Sequence, residues 1–336
     1  MKIVKVVTTG GSELSDLFLR QTAKHSGIWD DCYFYVNQHV KKCDWLVVCH
    51  SSALKKSDTA LCDPDHIVYI SMEPHDHGIP DGFFKQFSKL VLCDRSVSHP
   101  DIRFGNGLTW WVGINVKYGK GHVFSAKCTL DYDRLKTMKC PDKQNRISVI
   151  CSKKNLMSGH QKRLDFILKL QGHPICKYID FYGGGYHPIP DKWDAIAPYK
   201  YHLVLENSIV PDYWSEKLGD AFLGFAFPIY YGCPNIHEYF SSDALQVIDI
   251  EQFDKTVSIL EKLISQDSSE YQSEAIYQAR TKVLNQYNIF QIMADICDEP
   301  AQSYQKCKLI PPRYFLEAWL NKCTTIISKV NKRIVG

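Results

Sequence analysis

The sequence predicts an α/β protein of two lobes, each built on a parallel sheet. Three observations lead there. Apolar runs of strand length recur along the chain, and several are continuous rather than alternating, which suits strands buried on both faces. Helical patterns lie between those runs, the alternation expected of parallel α/β sheets. A polar, basic seam at 117–145 has few long apolar runs and separates the two sets, so the boundary is placed near 140.

The elements follow in order. KIVKVV (2–7), DWLVVC (44–49), HIVYIS (66–71) and KLVLC (89–93) are the strands of a first lobe, 1–140. RISVIC (146–151), KYIDFY (177–182), YHLVLE (201–206), FAFPIYYG (225–232) and ALQVIDI (244–250) are those of a second, 141–300. Helical spacing marks QKRLDFILKLQ (161–171), YWSEKLGDAFLG (213–224), a segment around SILEKLI (258–264) and SEAIYQARTKVLNQY (273–287). Residues 301–336 are expected to form a C-terminal helical segment. Its stretch from 314 onward carries Phe315, Trp319, Ile326, Val330 and basic residues. That pattern suits a helix packed across the two lobes, and it also suits peripheral contact with a membrane surface. The lobes are expected to face a cleft.

Composition narrows the classes. The net charge is only +3 over 336 residues, which argues against a bulk nucleic-acid binder. The 13 cysteines are odd in number and none shows CxxC spacing, so neither a zinc site nor a disulfide framework is expected, and the thiols are read as reduced in a cytoplasmic protein. The N-terminus, MKIVKVVTTGGSELSD, reads as a strand and a turn without the apolar region of a signal peptide. No apolar run approaches the roughly 18 residues of a spanning helix.

The stretch LENSIVPDYWSEKL (205–218) stands out, because polar side chains of both charges crowd directly after a core strand. Glu206 and Asn207 sit at the carboxyl end of that strand, where open α/β sheets bind ligands. Asp212 suits a helix N-cap, with the helix running from about Tyr213 to Leu223. Trp214, Leu218, Ala221, Phe222 and Phe225 then share an apolar stripe, and Tyr213, Glu216, Lys217 and Asp220 the adjoining flank. A helix N-terminus with a lysine beside it attracts phosphate, and a carboxylate such as Glu216 can accept from a ribose diol. The set reads as a nucleotide-diphosphate site needing no metal. The bland alternative is a solvated helix face with Asp212 as a simple cap.

These residues carry a resemblance. LENS, DYWSEK and PIYYG, in YKYHLVLENS…PDYWSEKLGDAFL…FPIYYGCPNIHEYF, are similar to the motifs of the family 10 glycosyltransferases, the α-1,3/4-fucosyltransferases, with Ser215 in place of the usual threonine. The likeness covers roughly 145–300. In the first half ISMEPHDHG (70–78) resembles the family's short Glu-Pro motif, and TWWVG (109–113) resembles its bacterial members. The resemblance implies a GT-B-like fold and an inverting transfer from a GDP-sugar, usually of L-fucose from GDP-L-fucose, to an oligosaccharide or glycolipid acceptor; the alternatives are a transferase using a different GDP-sugar and a non-catalytic glycan- or nucleotide-binding protein. The expected acceptor is the GlcNAc of a Gal-GlcNAc unit.

By matching position the resemblance makes Glu73 the general base. Glu216 would hold the ribose, Lys217 and Arg163 the phosphates, and Asn207 and Tyr213 the sugar-diphosphate. Tyr182, after another strand and before a glycine run, would lie near the guanosine, and Lys200 could approach the nucleotide or merely lead into its strand. Bland roles compete. Glu73 could start a turn before Pro74, His160 and Lys162 compete with Arg163, and Glu206 could orient neighbouring loops instead of touching sugar. Two decoys are set aside. DYD (131–133) has the form of a DxD metal motif but lies in the polar seam, and YGGGYHP lacks the GK[ST] of a P-loop.

Overall fold

The computed structural model describes residues 1–10, 15–76, 78–107, 109–118, 124–151, 158–265 and 273–315. They divide into two units. The first gathers residues 1–16, 27–107 and those from 293 on; the second gathers 17–26 and 108–292.

The first unit holds a seven-stranded sheet. Its spatial order is Ile28–Trp29, Cys32–Val36, Lys2–Val7, Trp45–Cys49, Ile67–Ile70, Lys89–Leu92 and Ile102–Phe104. All neighbours are parallel except the first pair. Four of these strands match the continuous apolar runs. Cys32–Val36 did not stand out because its residues alternate buried and half-buried, so no continuous run marks it. The core below gathers Tyr69 of the sheet with Phe83, Phe84 and Phe87.

The expected helical segment from 301 is corrected in part. Gln305–Leu309 is a strand, antiparallel to Asp58–Cys62, and it places Cys307 and Leu309 in the first unit's core. Alternating burial in QKCKL is a strand period that the helical reading overlooked. Residues 316–336, with most of the proposed amphipathic stretch, lie outside the described residues. No helix among the described residues is long and apolar enough to cross a membrane.

The second unit has five parallel strands in the order Ile179–Tyr182, Gln144–Ile150, Tyr199–Leu205, Phe227–Tyr231 and Gln246–Val247. Helices Ser158–Gly172 and Phe253–Ser265 bury Phe166, Ile167, Leu170, Leu260 and Leu263 against it. The chain therefore leaves the Gln144–Ile150 strand in one direction and later returns on its other side with Tyr199–Leu205. The carboxyl ends of those two strands form the topological switch point, where connections diverge and leave a crevice.

The chain divides before residue 109 rather than near 140. The polar seam is a hairpin, Ile114–Tyr118 with Phe124–Cys128, followed by the helix Tyr132–Thr137. Buried aspartates tie it into the second unit: Asp191 accepts from Gly113 N (2.9 Å) and Thr129 Oγ1 (2.7 Å). Polarity suggested a linker, but these side-chain bonds and the buried Ile114, Tyr132 and Leu135 anchor it. Asp131 of the DYD segment caps the helix by accepting from Arg134 N at 2.9 Å, and its other oxygen faces His25 at 3.3 Å. The described cysteines are free thiols.

Candidate functional site

The strand Tyr199–Leu205 is buried almost throughout, and it delivers Glu206 and Asn207 to the switch point. Glu206 is 1% exposed, and its carboxylate turns toward the next helix. It accepts from Ser215 N (2.8 Å), Ser215 Oγ (2.8 Å) and Lys217 Nζ (3.2 Å). Glu206 thus orients the segment that follows.

That segment corrects the expected helix start. The helix is Glu216–Leu223 and its N-cap is Ser215, whose Oγ accepts from Lys217 N at 3.3 Å. Asp212 lies one turn earlier with φ +65, and its carboxylate accepts from Asn235 Nδ2 (2.8 Å) and Tyr239 Oη (3.0 Å). Both residues are good caps, three positions apart. The partners of Asp212 come from residues 235 and 239, so only the folded chain decides between them.

From this cap a ladder of alternating charge runs along the helix. Lys217 Nζ lies between Glu206 (3.2 Å) and Glu216 (3.8 Å). Glu216 Oε1 also meets Lys192 Nζ at 3.3 Å, and Lys192 reaches Asp220 Oδ2 at 2.9 Å. Asp220 is fully buried, and its second oxygen accepts from Trp111 N (2.8 Å) and Val112 N (3.1 Å). Burial alone would raise the Glu216 pKa, but the neighbouring Lys217 and Lys192 outweigh it and hold the carboxyl at about 2. The lysines are held protonated in turn: both are raised despite burial, by the carboxylates around them.

Arg163 approaches from the helix Ser158–Gly172. It is 6% exposed, and one guanidinium nitrogen donates to Asn207 Oδ1. Its Nε has no hydrogen-bond partner among the described residues. The helix begins this close to Asn207 because residue 159 is glycine; a Cβ there would overlap the Asn207 carbonyl oxygen. Gly183, at φ +108, similarly lets its loop pass against the Cys151 carbonyl.

These groups line one cavity of about 370 Å³ within the second unit. Ile150 and Cys151 border it from one strand end, and Leu205 and Asn207 from the other. Gly183, His160 and Arg163, and Lys192, Glu216, Lys217 and Asp220 complete most of the wall. His202 also lines it, with Nδ1 2.8 Å from Ser148 Oγ. Burial, then Lys192 and Lys143, push that imidazole down to about 3, so it is neutral at pH 7. A buried guanidinium and an ionised carboxylate lining one cavity suit a ligand bearing both an anion and hydroxyl donors.

The family model described as glycosyltransferase family 10 (fucosyltransferase) C-term matches residues 140–311, just over half of the chain. The chain belongs to glycosyltransferase family 10. Among curated members, the human 4-galactosyl-N-acetylglucosaminide 3-alpha-L-fucosyltransferase is 29% identical over 116 residues, 33% of this chain and 32% of its own. The alpha-(1,3)-fucosyltransferase FucT of Helicobacter pylori is 30% identical over 80 residues, 24% of this chain and 16% of its own. The family 10 chain therefore spans about a third or less of the length of these relatives. A solved structure described as an alpha1,3-fucosyltransferase with GDP-fucose covers 90% of this chain and 92% of its own at 13% identity, with a TM-score of 0.47.

Of the positions singled out in this family 10 sequence, Arg163, Asn207, Glu216 and Lys217 line the cavity together. Tyr182, Lys200, Tyr213 and Glu206 do not border it. Tyr182 Oη is 2.6 Å from Tyr199 Oη, Lys200 lies over the Tyr201 ring, and Tyr213 is buried ahead of the helix. Glu73 belongs to the first unit. It follows the strand Ile67–Ile70 with its side chain 57% exposed, and Oε1 lies 3.9 Å from His50 Nε2. Lys192 and His202 were missed. Lys192 follows a glycine-rich loop without a motif of its own, and His202 is hidden inside an apolar run. Among the described residues no group of three or more His, Cys, Asp or Glu could hold a metal ion.

Proposed function

We propose that this chain is an inverting fucosyltransferase, moving L-fucose from GDP-L-fucose to a glycan hydroxyl, the GlcNAc of a Gal-GlcNAc unit in α-1,3 linkage. The observation that carries the reading is the buried Arg163, with an unpartnered N–H, sharing a cavity with Lys217 and the ionised Glu216. Family membership and the named activities of the relatives support the same donor.

In this reading the ribose hydroxyls donate to Glu216. Arg163 and Lys217 meet the diphosphate, and fixed cations here do what a divalent metal does elsewhere. The acceptor hydroxyl attacks the anomeric carbon in line, the bond to the β-phosphate oxygen breaks, and GDP leaves with its growing charge matched by those cations. A single displacement on a β-linked donor yields an α-linked fucoside. The proton passes to Glu73, the exposed carboxylate at the end of its strand, as general base. Glu206 is assigned to orientation of the Ser215 cap.

The test is calorimetric titration with GDP, UDP and CMP in EDTA, followed by GDP release from GDP-fucose with N-acetyllactosamine as acceptor. GDP alone should bind, and acceptor should speed its release; nuclear magnetic resonance of the product gives the linkage. Preference for UDP, or binding that EDTA abolishes, sinks the donor assignment. GDP binding without turnover would make the chain a nucleotide-binding protein instead.

A further inference from the structure

We propose that Lys192 is a positioning residue of the nucleotide site: it holds the Glu216 carboxylate aimed for the sugar hydroxyls of the nucleoside. This rests on the reading of the cavity as a nucleotide site. Glu216 is the first residue of its helix, so no preceding turn constrains its side chain, and it is 28% exposed. Two cations touch it. Lys217 is already engaged: its Nζ is 3.2 Å from Glu206 and 3.0 Å from Ser215 Oγ, and 3.8 Å from Glu216. Lys192 makes the closer contact with Glu216, a hydrogen bond of 3.3 Å to Oε1.

Lys192 is itself held. Its other bond, 2.9 Å to Asp220 Oδ2, ends on a fully buried carboxylate whose second oxygen is occupied by the N–H groups of Trp111 and Val112. Asp220 cannot turn away without leaving two backbone donors unpaired, so it is a rigid anchor. The direction of the ladder is therefore from backbone to Asp220, to Lys192, to Glu216 Oε1. Both lysine contacts fall on the same oxygen of Glu216, Oε1. A diphosphate that drew Lys217 away would leave Lys192 as the cation that keeps Glu216 in place.

The experiment is a double-mutant cycle on GDP and guanosine affinity, by calorimetry, with Lys192→Gln, Glu216→Gln and the pair. The amide of Lys192→Gln keeps a donor, and circular dichroism melts confirm folding. Lys192→Gln should weaken GDP about tenfold, and guanosine by the same factor, because it acts on the ribose partner. In the Glu216→Gln background the same change should cost less than about twofold, since the two residues act as one unit. Lys192→Arg, which keeps charge and donors, should recover most of the affinity.

An additive loss in the double variant overturns the proposal, and a loss confined to GDP overturns it and makes Lys192 a direct phosphate contact. Unchanged affinity in Lys192→Gln overturns it outright. If Lys192→Gln does not fold, Lys192→Arg losing as much affinity as Glu216→Gln overturns it as well. Wild-type protein that takes up no GDP overturns the nucleotide reading itself, a distinct result.

Discussion

Arg163 is the residue on which the proposed donor site turns. Its guanidinium is buried, holds Asn207, borders the cavity and has an Nε without a hydrogen-bond partner among the described residues. Arg163→Ala should therefore weaken GDP by about 10- to 100-fold, the worth of one or two charge-assisted hydrogen bonds, while guanosine changes little. Equal losses for both ligands would count against a phosphate contact. His202 predicts a pH effect. It is held at about 3 against an ordinary 6.5. Between these values the unfolded chain takes up a proton that the folded chain refuses, so stability falls as pH drops through that window. The slope should reach about 1.4 kcal/mol per pH unit. Urea denaturation at a series of pH values, in wild type and His202→Asn, checks this; the variant should lose that part of the slope. Arg163, Glu216 and Lys217 were legible in sequence because they sit in short motifs next to strand ends. His202 was not, because a histidine in an apolar run shows its neighbour Ser148 only once two strands are in register.

Among elements, the helix Glu216–Leu223 depends on its cap. Ser215 serves it and also occupies the Glu206 carboxylate. Ser215→Ala removes a cap and leaves a 1% exposed carboxylate short of a donor, so it should cost about 2 kcal/mol, whereas Ser215→Thr should cost well under 1. Thermal melts of the two variants distinguish a capping role from tight packing at this buried position, in which the larger Thr would be the worse substitute. The helix Ser158–Gly172 has a matching sensitivity at its start. Gly159→Ala would press a methyl group into the Asn207 carbonyl, and should lower both melting temperature and GDP affinity because the same movement displaces Arg163. The strand-and-helix alternation was readable from apolar runs and helical spacing. Cap choice and the strand at Gln305–Leu309 were not, since each depends on a partner distant in sequence.

For the whole molecule, the division of labour between the units is the testable property. Every residue that lines the cavity lies in the second unit, and Glu73 lies in the first. Glu73→Gln should thus leave GDP affinity within about twofold of wild type, while lowering kcat by about 100-fold or more if it is the base. A comparable loss in GDP affinity would contradict that assignment, and unchanged kcat would remove Glu73 from the mechanism. The first unit also depends on residues after 293, whose strand brings Cys307 and Leu309 into its core.

By itself the sequence determined the α/β class, nine of the strands and the family, because these reside in local patterns: continuous apolar runs, helical spacing and the short motifs LENS, DYWSEK and PIYYG. Only the tertiary structure decided where the units divide, which residue caps the site helix, and that Lys192 and His202 border the cavity with Arg163. Those outcomes are set by pairings across the chain, such as Asp220 with Lys192 and with the backbone at 111–112. A buried charge takes whichever partner the fold brings within reach, and one-dimensional spacing carries no record of that choice.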